Sequence, residues 1–353
     1  MKADILLLPG DGIGPEVLAS AVDLLQRVGD KYGHQFSFQT KLIGGVALRQ
    51  GLPPLPPETL AAARNVAAVF LGAVGDPAFD AQPPKERPEA ALLGIRRELG
   101  VFANLRPARA WAGLESAGPL KPEVLAGTDL VVVRELLGGL YYGEPRGRAD
   151  DGQSAVNTLR YSRPEIERVA RVAFALAASR RGKLVSVDKA NVLEVSQLWR
   201  TVVTEMAAEF PAVTLTHEYV DSAAMKLALA PASFDVMLTE NMFGDILSDE
   251  AGAVCGSLGL LPSASLGPGA GLFEPVHGSA PDIAGKDIAN PIGAMASAAM
   301  LLGDGLGLRE EGAAVTAAIE RVLATGLRTK DLAAPGTTAA GTRTFAAAVV
   351  HAL

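Results

Sequence analysis

Cysteine is almost absent from this chain. Its 353 residues include one, Cys255. That excludes an internal disulfide, fits a reducing compartment, and reads most simply as a small buried apolar side chain. No apolar run approaches the roughly 20 residues a membrane-spanning helix needs, so no membrane association is expected. Met1-Lys2-Ala3-Asp4 leads straight into a short apolar run and a glycine-rich turn, without a signal-peptide pattern. The expected location is the cytoplasm. Positive charge is also short: the formal net charge is −7, which argues against nucleic acid as a partner. There is no internal repeat and no low-complexity tail. What remains is a globular chain, 49% hydrophobic and 20% charged, long enough for two domains.

Short β-rich runs alternate with helical periodicity. The expected strands are Ala3–Leu8, Val66–Leu71, Leu130–Val133, Leu184–Val187, Val213–Leu215 and Val236–Thr239. Val17, Leu18, Ala21, Val22, Leu25 and Val28 recur at helical spacing behind Pro15, which suits a helix's first turn. Ser162 and Glu165 form a capping-box pattern ahead of Ile166, Val169, Ala170, Ala173 and Phe174. The plan is α/β, with a largely parallel sheet in at least part of the molecule. Pro53–Pro57 and Gly75–Pro88 read as loops, the second long enough to act as a lid or binding element.

Gly10, Gly12 and Gly14 sit between a strand and a helix, where phosphate-binding turns occur. Their spacing is G-x-G-x-G rather than G-x-G-x-x-G, and no acidic residue clearly ends a second strand about 20 residues on. A Rossmann fold is rejected.

Four groups of residues carry candidate chemistry. In Glu240-Asn-Met-Phe-Gly-Asp-Ile-Leu-Ser-Asp-Glu250, Asp245 and Asp249 stand one helical turn apart on one face. Such a pair suits either a solvated helix start or a hard divalent cation with oxygen ligands. Arg96, Arg106 and Arg134 cluster along the chain, Arg134 at the carboxyl end of a strand, where open α/β sheets bind ligands. They suggest an anionic, polycarboxylate substrate held by bidentate contacts. Tyr141 lies in a glycine-flanked loop and Lys189 ends another strand; both are proton-transfer candidates if their surroundings tune them.

These motifs, in this order, resemble the isocitrate/isopropylmalate β-decarboxylating dehydrogenase family, and within it the 3-isopropylmalate dehydrogenases. The match covers Gly10–Val17, Phe102–Pro107, Arg134-Glu135 with Gly138–Gly147, Asp188–Asn191, Asn241–Asp249, Glu274–Lys286 and Asn290-Pro291. The resemblance implies a two-domain fold, not a Rossmann fold, with residues 1–101 and 256–353 in one domain and 102–255 in the other. It implies that Arg96, Arg106 and Arg134 clamp substrate carboxylates, with Asn191 and Asp221 also at the substrate. Asp245, Asp249 and the partner subunit's Asp221 would hold Mg²⁺ or Mn²⁺. The partner's Lys189 would take the hydroxyl proton, and Tyr141 would protonate the enolate left after CO₂ departs. A homodimer is then required, because a monomer lacks both the base and one metal ligand.

For the cofactor, the resemblance implies NAD, bound by Glu274, His277, Gly278, Ser279, Ala280, Asp282, Ile283 and Asn290. Asp282 would accept from ribose hydroxyls and repel the 2′-phosphate of NADP. Leu92 and Leu93, with Val192 after the lysine, would line an apolar wall that suits an isopropyl group and leaves a third carboxylate unpartnered. The expected substrate is 3-isopropylmalate, on the route to leucine. D-malate, tartrate or homoisocitrate would be alternatives, and a non-catalytic regulatory subunit a remote one. Asp76 and Phe79 depart from the glycine and tryptophan associated with relatives.

Overall fold

The computed structural model describes residues 1–115 and 117–353. Its chain divides into two compact units, one made of Met1–Val101, Trp111–Pro119 and Gly256–Leu353, the other of Phe102–Ala110 and Leu120–Cys255. Trp111–Pro119 is tied into the first unit by Arg328, whose guanidinium donates to the Gly113 carbonyl at 2.6 Å.

In the first unit the strands run in the order Gln35–Thr40, Lys2–Gly10, Ala68–Ala73, Gly271–Pro275, Pro262–Leu266. All neighbours are parallel except the last pair. Ala68–Ala73 is buried along its whole length, as a strand covered on both faces should be. The helix Gly14–Tyr32 opens with Pro15 in its first turn, closes on a left-handed Gly33, and buries Val17, Leu18, Ala21, Leu24, Leu25 and Val28. The long loop is more ordered than its prolines suggest. Short 3₁₀ turns form at Pro77–Phe79 and Pro84–Glu86, and Pro88 begins the helix Pro88–Leu99. Pro57 likewise opens a helix, Pro57–Ala63, rather than ending a loop, because a proline's fixed φ suits a first turn. Arg49 makes use of both unusual loop residues: it pairs with Asp76 at 2.6 Å and lies 5.9 Å from the Phe79 ring centroid.

In the second unit the order is Ala103–Arg109, Asp129–Glu135, Val236–Thr239, Lys183–Asp188, Thr214–Tyr219. Only the first pair is antiparallel. The capping box forms as expected: the Glu165 carboxylate accepts from the Ser162 N–H at 2.7 Å at the start of Arg163–Ser179. Cys255 is buried, and burial pushes its thiol up to about 12, consistent with a packing role. Among the described residues no helix is long and apolar enough to cross a membrane.

Candidate active site

Sheet register brings the arginines together. Asn104 and Arg106 are two residues apart on one strand and so share a face. Arg134 lies directly opposite Asn104 in the antiparallel pair, which puts all three side chains on that face. Crossing it is the helix Asn241–Cys255, which follows Val236–Thr239 after the single residue Glu240. Asn241, Asp245, Ser248 and Asp249 occupy positions i, i+4, i+7 and i+8, one stripe of a helix.

The stripe and the arginines interlock. Arg134, 2% exposed, donates through Nε and Nη2 to Asn241 Oδ1 at 3.0 and 2.7 Å, and through Nη1 to Asp245. Arg106 donates through Nε to Asn104 Oδ1 at 2.8 Å and through Nη1 to Ser248 Oγ at 2.9 Å and Asp249 at 3.2 Å. It also lies 3.4 Å from Asp245. The carboxylates are thus neutralised in part by guanidinium groups within the chain. Asp249 is nonetheless held above its ordinary range, first by burial, with Asp245 adding to it and Arg106 opposing it. Two hard oxygen donors one turn apart, one of them incompletely compensated, fit a divalent cation. Among the described residues no group of three His, Cys, Asp or Glu side chains is placed to hold an ion, so Asp221 does not join Asp245 and Asp249 within this chain.

Tyr141 ends the 3₁₀ turn Gly139–Tyr141 and points its hydroxyl at Asp245, donating to Oδ2 at 2.8 Å. The Arg134 guanidinium carbon is 5.6 Å from its ring centroid. Burial, then the bond to Asp245, pushes the phenol up to about 12, so it stays protonated and a donor at neutral pH. Behind it lie two buried acids that the sequence did not single out. Glu135 accepts from the N–H groups of Leu137 and Gly138 and pairs with Arg168 at 3.1 Å. Glu240 accepts from the Phe243 N–H at 2.6 Å, while its Oε2 is buried with no hydrogen-bond partner. Burial raises both carboxyls.

Lys189 follows Lys183–Asp188 and pairs with Asp221, in the first turn of Val220–Leu229. Its ammonium is 5.8 Å from the Tyr219 ring centroid, and the Lys189 bond holds Asp221 below the usual carboxylate range. Asp188, its buried neighbour, is gripped by Arg200 at 2.8 and 2.9 Å. Asn191 and Val192 are exposed in the following turn, Val192 at 66%.

The remaining candidates belong to the first unit. Arg96 donates to Glu274 at 2.8 Å, both of them buried, and Leu92 and Leu93 precede it on the helix Pro88–Leu99, Leu93 being 37% exposed. Beyond Glu274, His277 Nδ1 lies 3.0 Å from the Gly278 carbonyl. Its Nε2 is buried and unpartnered, as is Arg96 Nε. Burial holds His277 below its ordinary value and hence neutral at pH 7. Ser279 is buried, Ala280 adopts φ 38°, Asp282 is exposed and Ile283 half-buried. Asn290 donates to Asp331 at 3.0 Å and accepts from the Ile292 N–H at 2.9 Å.

The glycine-rich turn that failed the Rossmann test supports this segment from below. The Ile13 N–H donates to the Ser279 carbonyl at 2.8 Å, and a Cβ on Gly12 would lie 1.9 Å from that oxygen. Asp11, a further residue the sequence did not flag, accepts from the N–H groups of Gly45, Val46 and Gly75 at 2.7–2.9 Å. The buried, unpartnered His277 Nε2 and, further along the same stretch, the exposed Asp282 carboxylate suit a polar ligand.

An α/β frame that sets a protonated phenol against a carboxylate pair and two buried guanidiniums is that of an enzyme acting on a small anionic molecule. The family model for isocitrate/isopropylmalate dehydrogenase matches residues 4–349. The chain is 58% identical over 337 residues to 3-isopropylmalate dehydrogenase of Bacillus subtilis, covering 94% of this chain and 92% of that protein. It is 54% identical to that of Parasynechococcus marenigrum, over 99% of both chains. Among solved structures, isocitrate dehydrogenase from Methylococcus capsulatus aligns with a TM-score of 0.88 at 34% identity, over 99% and 98% of the two chains. A β-decarboxylating dehydrogenase from Thermococcus kodakarensis aligns at 0.81 and 37%, over 99% and 95%. The chain belongs to the isocitrate/isopropylmalate dehydrogenase family, oxidoreductases with an α/β fold.

Proposed function

We propose that this chain catalyses the NAD-dependent oxidative decarboxylation of (2R,3S)-3-isopropylmalate to 4-methyl-2-oxopentanoate, CO₂ and NADH, a step of leucine biosynthesis, as a cytoplasmic homodimer. The observation that carries the reading is its 53–58% identity, over almost the whole of both chains, to relatives named for that activity. The site's chemistry supports it. Arg106 and Arg134, with Arg96, would hold the substrate's carboxylates, so that the bond to be broken is aligned. The partner's Lys189 would accept the C2 hydroxyl proton, with Asn191 beside it, and Tyr141 would deliver a proton to the carbon that loses CO₂.

Asp245 and Asp249, with the partner's Asp221, would hold Mg²⁺ or Mn²⁺. Glu274, His277 and the stretch from Gly278 to Asn290, including Ser279, Ala280, Asp282 and Ile283, would hold NAD. When bound, NAD takes up the hydride and the divalent ion acts as a Lewis acid toward the oxygen that gains negative charge. Asp282's exposed carboxylate accepts ribose hydroxyls and disfavours a 2′-phosphate. Leu92, Leu93 and Val192 offer partly exposed apolar surface that an isopropyl group would cover and a third carboxylate would leave unpaired. Support for the dimer comes from exposed apolar side chains on two helices of the second unit that pack together: Met225 and Leu229, one turn apart on Val220–Leu229, are 57% and 66% exposed, and Ile246 on Asn241–Cys255 is 58% exposed.

NADH formation with Mg²⁺ and NAD, compared across 3-isopropylmalate, D-malate and isocitrate, tests the reading. The expected result is a kcat/KM for 3-isopropylmalate at least about tenfold above the others, the scale of one or two apolar contacts. Equal or greater turnover of D-malate would overturn the substrate assignment and leave the leucines as packing residues.

A further inference from the structure

Among the described residues, two other than glycine adopt left-handed backbone: Ala280 at φ 38° and Asp287 at φ 55°. Both lie within the stretch to which the NAD site is assigned, and they bracket Asp282 and Ile283. Left-handed backbone is costly for a residue with a side chain and persists only where the surroundings over-determine it. At Asp287 the surroundings are the first turn of the last helix, Thr342–Ala352. Asp287 Oδ1 accepts from the Arg343 N–H at 2.9 Å, and its carbonyl accepts from the Thr342 N–H at 3.2 Å. Two residues on, the Ala289 carbonyl accepts from Thr342 Oγ1 at 2.6 Å.

The last helix's own N-cap is Gly341, which has no side chain to offer. Asp287 does that work from outside, and the glycine is what lets it come close: a Cβ on Gly341 would lie 2.6 Å from Asp287 Oδ2 and 2.7 Å from its carbonyl oxygen. On the other flank lies Glu16, in the first turn of Gly14–Tyr32; burial raises its carboxyl, and the backbone of Gly285 and Asp287 opposes that rise. The stretch is thus gripped at one end by the last helix and, through Ser279 and Ile13, at the other by the glycine turn.

We infer that Asp287 is a positioning residue for dinucleotide binding: by capping the Thr342–Ala352 helix it fixes the backbone between Ala280 and Ala289 in the shape that lets Asp282 and Ile283 meet NAD. It touches neither substrate nor the reacting atoms, and the inference rests on the NAD reading above. Asparagine at this position keeps both requirements, since it tolerates left-handed backbone and still accepts from the Arg343 N–H. Alanine keeps neither. The Arg343 side chain, 86% exposed, matters little because its backbone N–H makes the cap.

The test compares KM for NAD, KM for 3-isopropylmalate, kcat and NAD affinity by calorimetry in the full-length wild type, Asp287→Ala, Asp287→Asn and Arg343→Ala. Losing a cap of this kind should raise KM and Kd for NAD about five- to tenfold in Asp287→Ala, while kcat and KM for 3-isopropylmalate stay within about twofold. Asp287→Asn and Arg343→Ala should stay within about twofold of wild type throughout. Should Asp287→Ala not fold, Asp287→Gly, which enters left-handed backbone freely but cannot cap, takes its place. A variant that lowers Tm yet binds NAD as wild type does would overturn the inference, the cap being then only structural. An Asp287→Asn as defective as the alanine variant would overturn it too. A wild type that does not use NAD would overturn the cofactor reading and this inference together, whereas an NAD-active wild type with an insensitive Asp287→Ala overturns this inference alone.

Discussion

At the scale of single residues, the acids beneath Tyr141 are the least expected feature. Glu240 is 6% exposed; one of its oxygens accepts the Phe243 N–H and the other is buried without a partner. Burial raises its folded-state pKa above the ordinary 4.5. The linkage follows directly: below about pH 4.5 folded and unfolded chains both hold this proton, and as pH rises the unfolded chain releases it first. Glu240 therefore costs stability progressively as pH climbs from its unfolded value to its folded one. Glu240→Gln keeps the acceptor for Phe243 and cannot ionise. Its melting temperature relative to wild type should rise by a few degrees between about pH 5 and pH 8. A difference that stays flat across that range would mean Glu240 ionises normally and its burial is compensated by other means.

Elements explain how those residues meet, and also what the sequence conceals. Asp245 and Asp249 stand out in the sequence as like charges one turn apart. Asn241 and Ser248 complete the same stripe, but neutral polar residues on a helix give no signal until guanidiniums are seen to face them. Likewise Val236–Thr239 is read correctly to the residue, whereas Pro262–Leu266 and Gly271–Pro275 are missed. Their Ser, Pro, Gly and Glu argue against strands locally, and only placement in a sheet makes them buried strands. The helix Asn241–Cys255 also hides a steric requirement. A Cβ on Gly244 would lie 2.3 Å from Thr239 Oγ1 and 2.7–2.8 Å from Arg134 side-chain carbons. Alanine gains about 1 kcal/mol in helix propensity, but overpacking at such distances costs about 1–3 kcal/mol. Gly244→Ala should therefore lower the denaturation midpoint in urea and, by displacing Arg134, depress turnover. Equal or higher stability would show that the helix has room to retreat.

Over the whole molecule, the proposed homodimer makes a demand on the proton-transfer groups that can be tested. Tyr141 shares Asp245 with Arg134, and Arg106 bridges toward Asp249. Lys189 is committed to Asp221, and Asp221 is not part of any metal-holding trio with the other two aspartates among the described residues. If each site combines Tyr141 of one subunit with Lys189 of its partner, two inactive variants should repair one another. Lys189→Ala and Tyr141→Phe, each nearly inactive alone, can be unfolded together and refolded as a mixture. Half of the dimers should then be mixed, and each mixed dimer holds one site with both groups intact and one with neither. Activity should return to about one quarter of the wild-type value, as two-fold symmetry with random pairing requires. If Tyr141 and Lys189 instead served a site within one chain, every site in every dimer would lack one group, and the mixture would stay as inactive as its components.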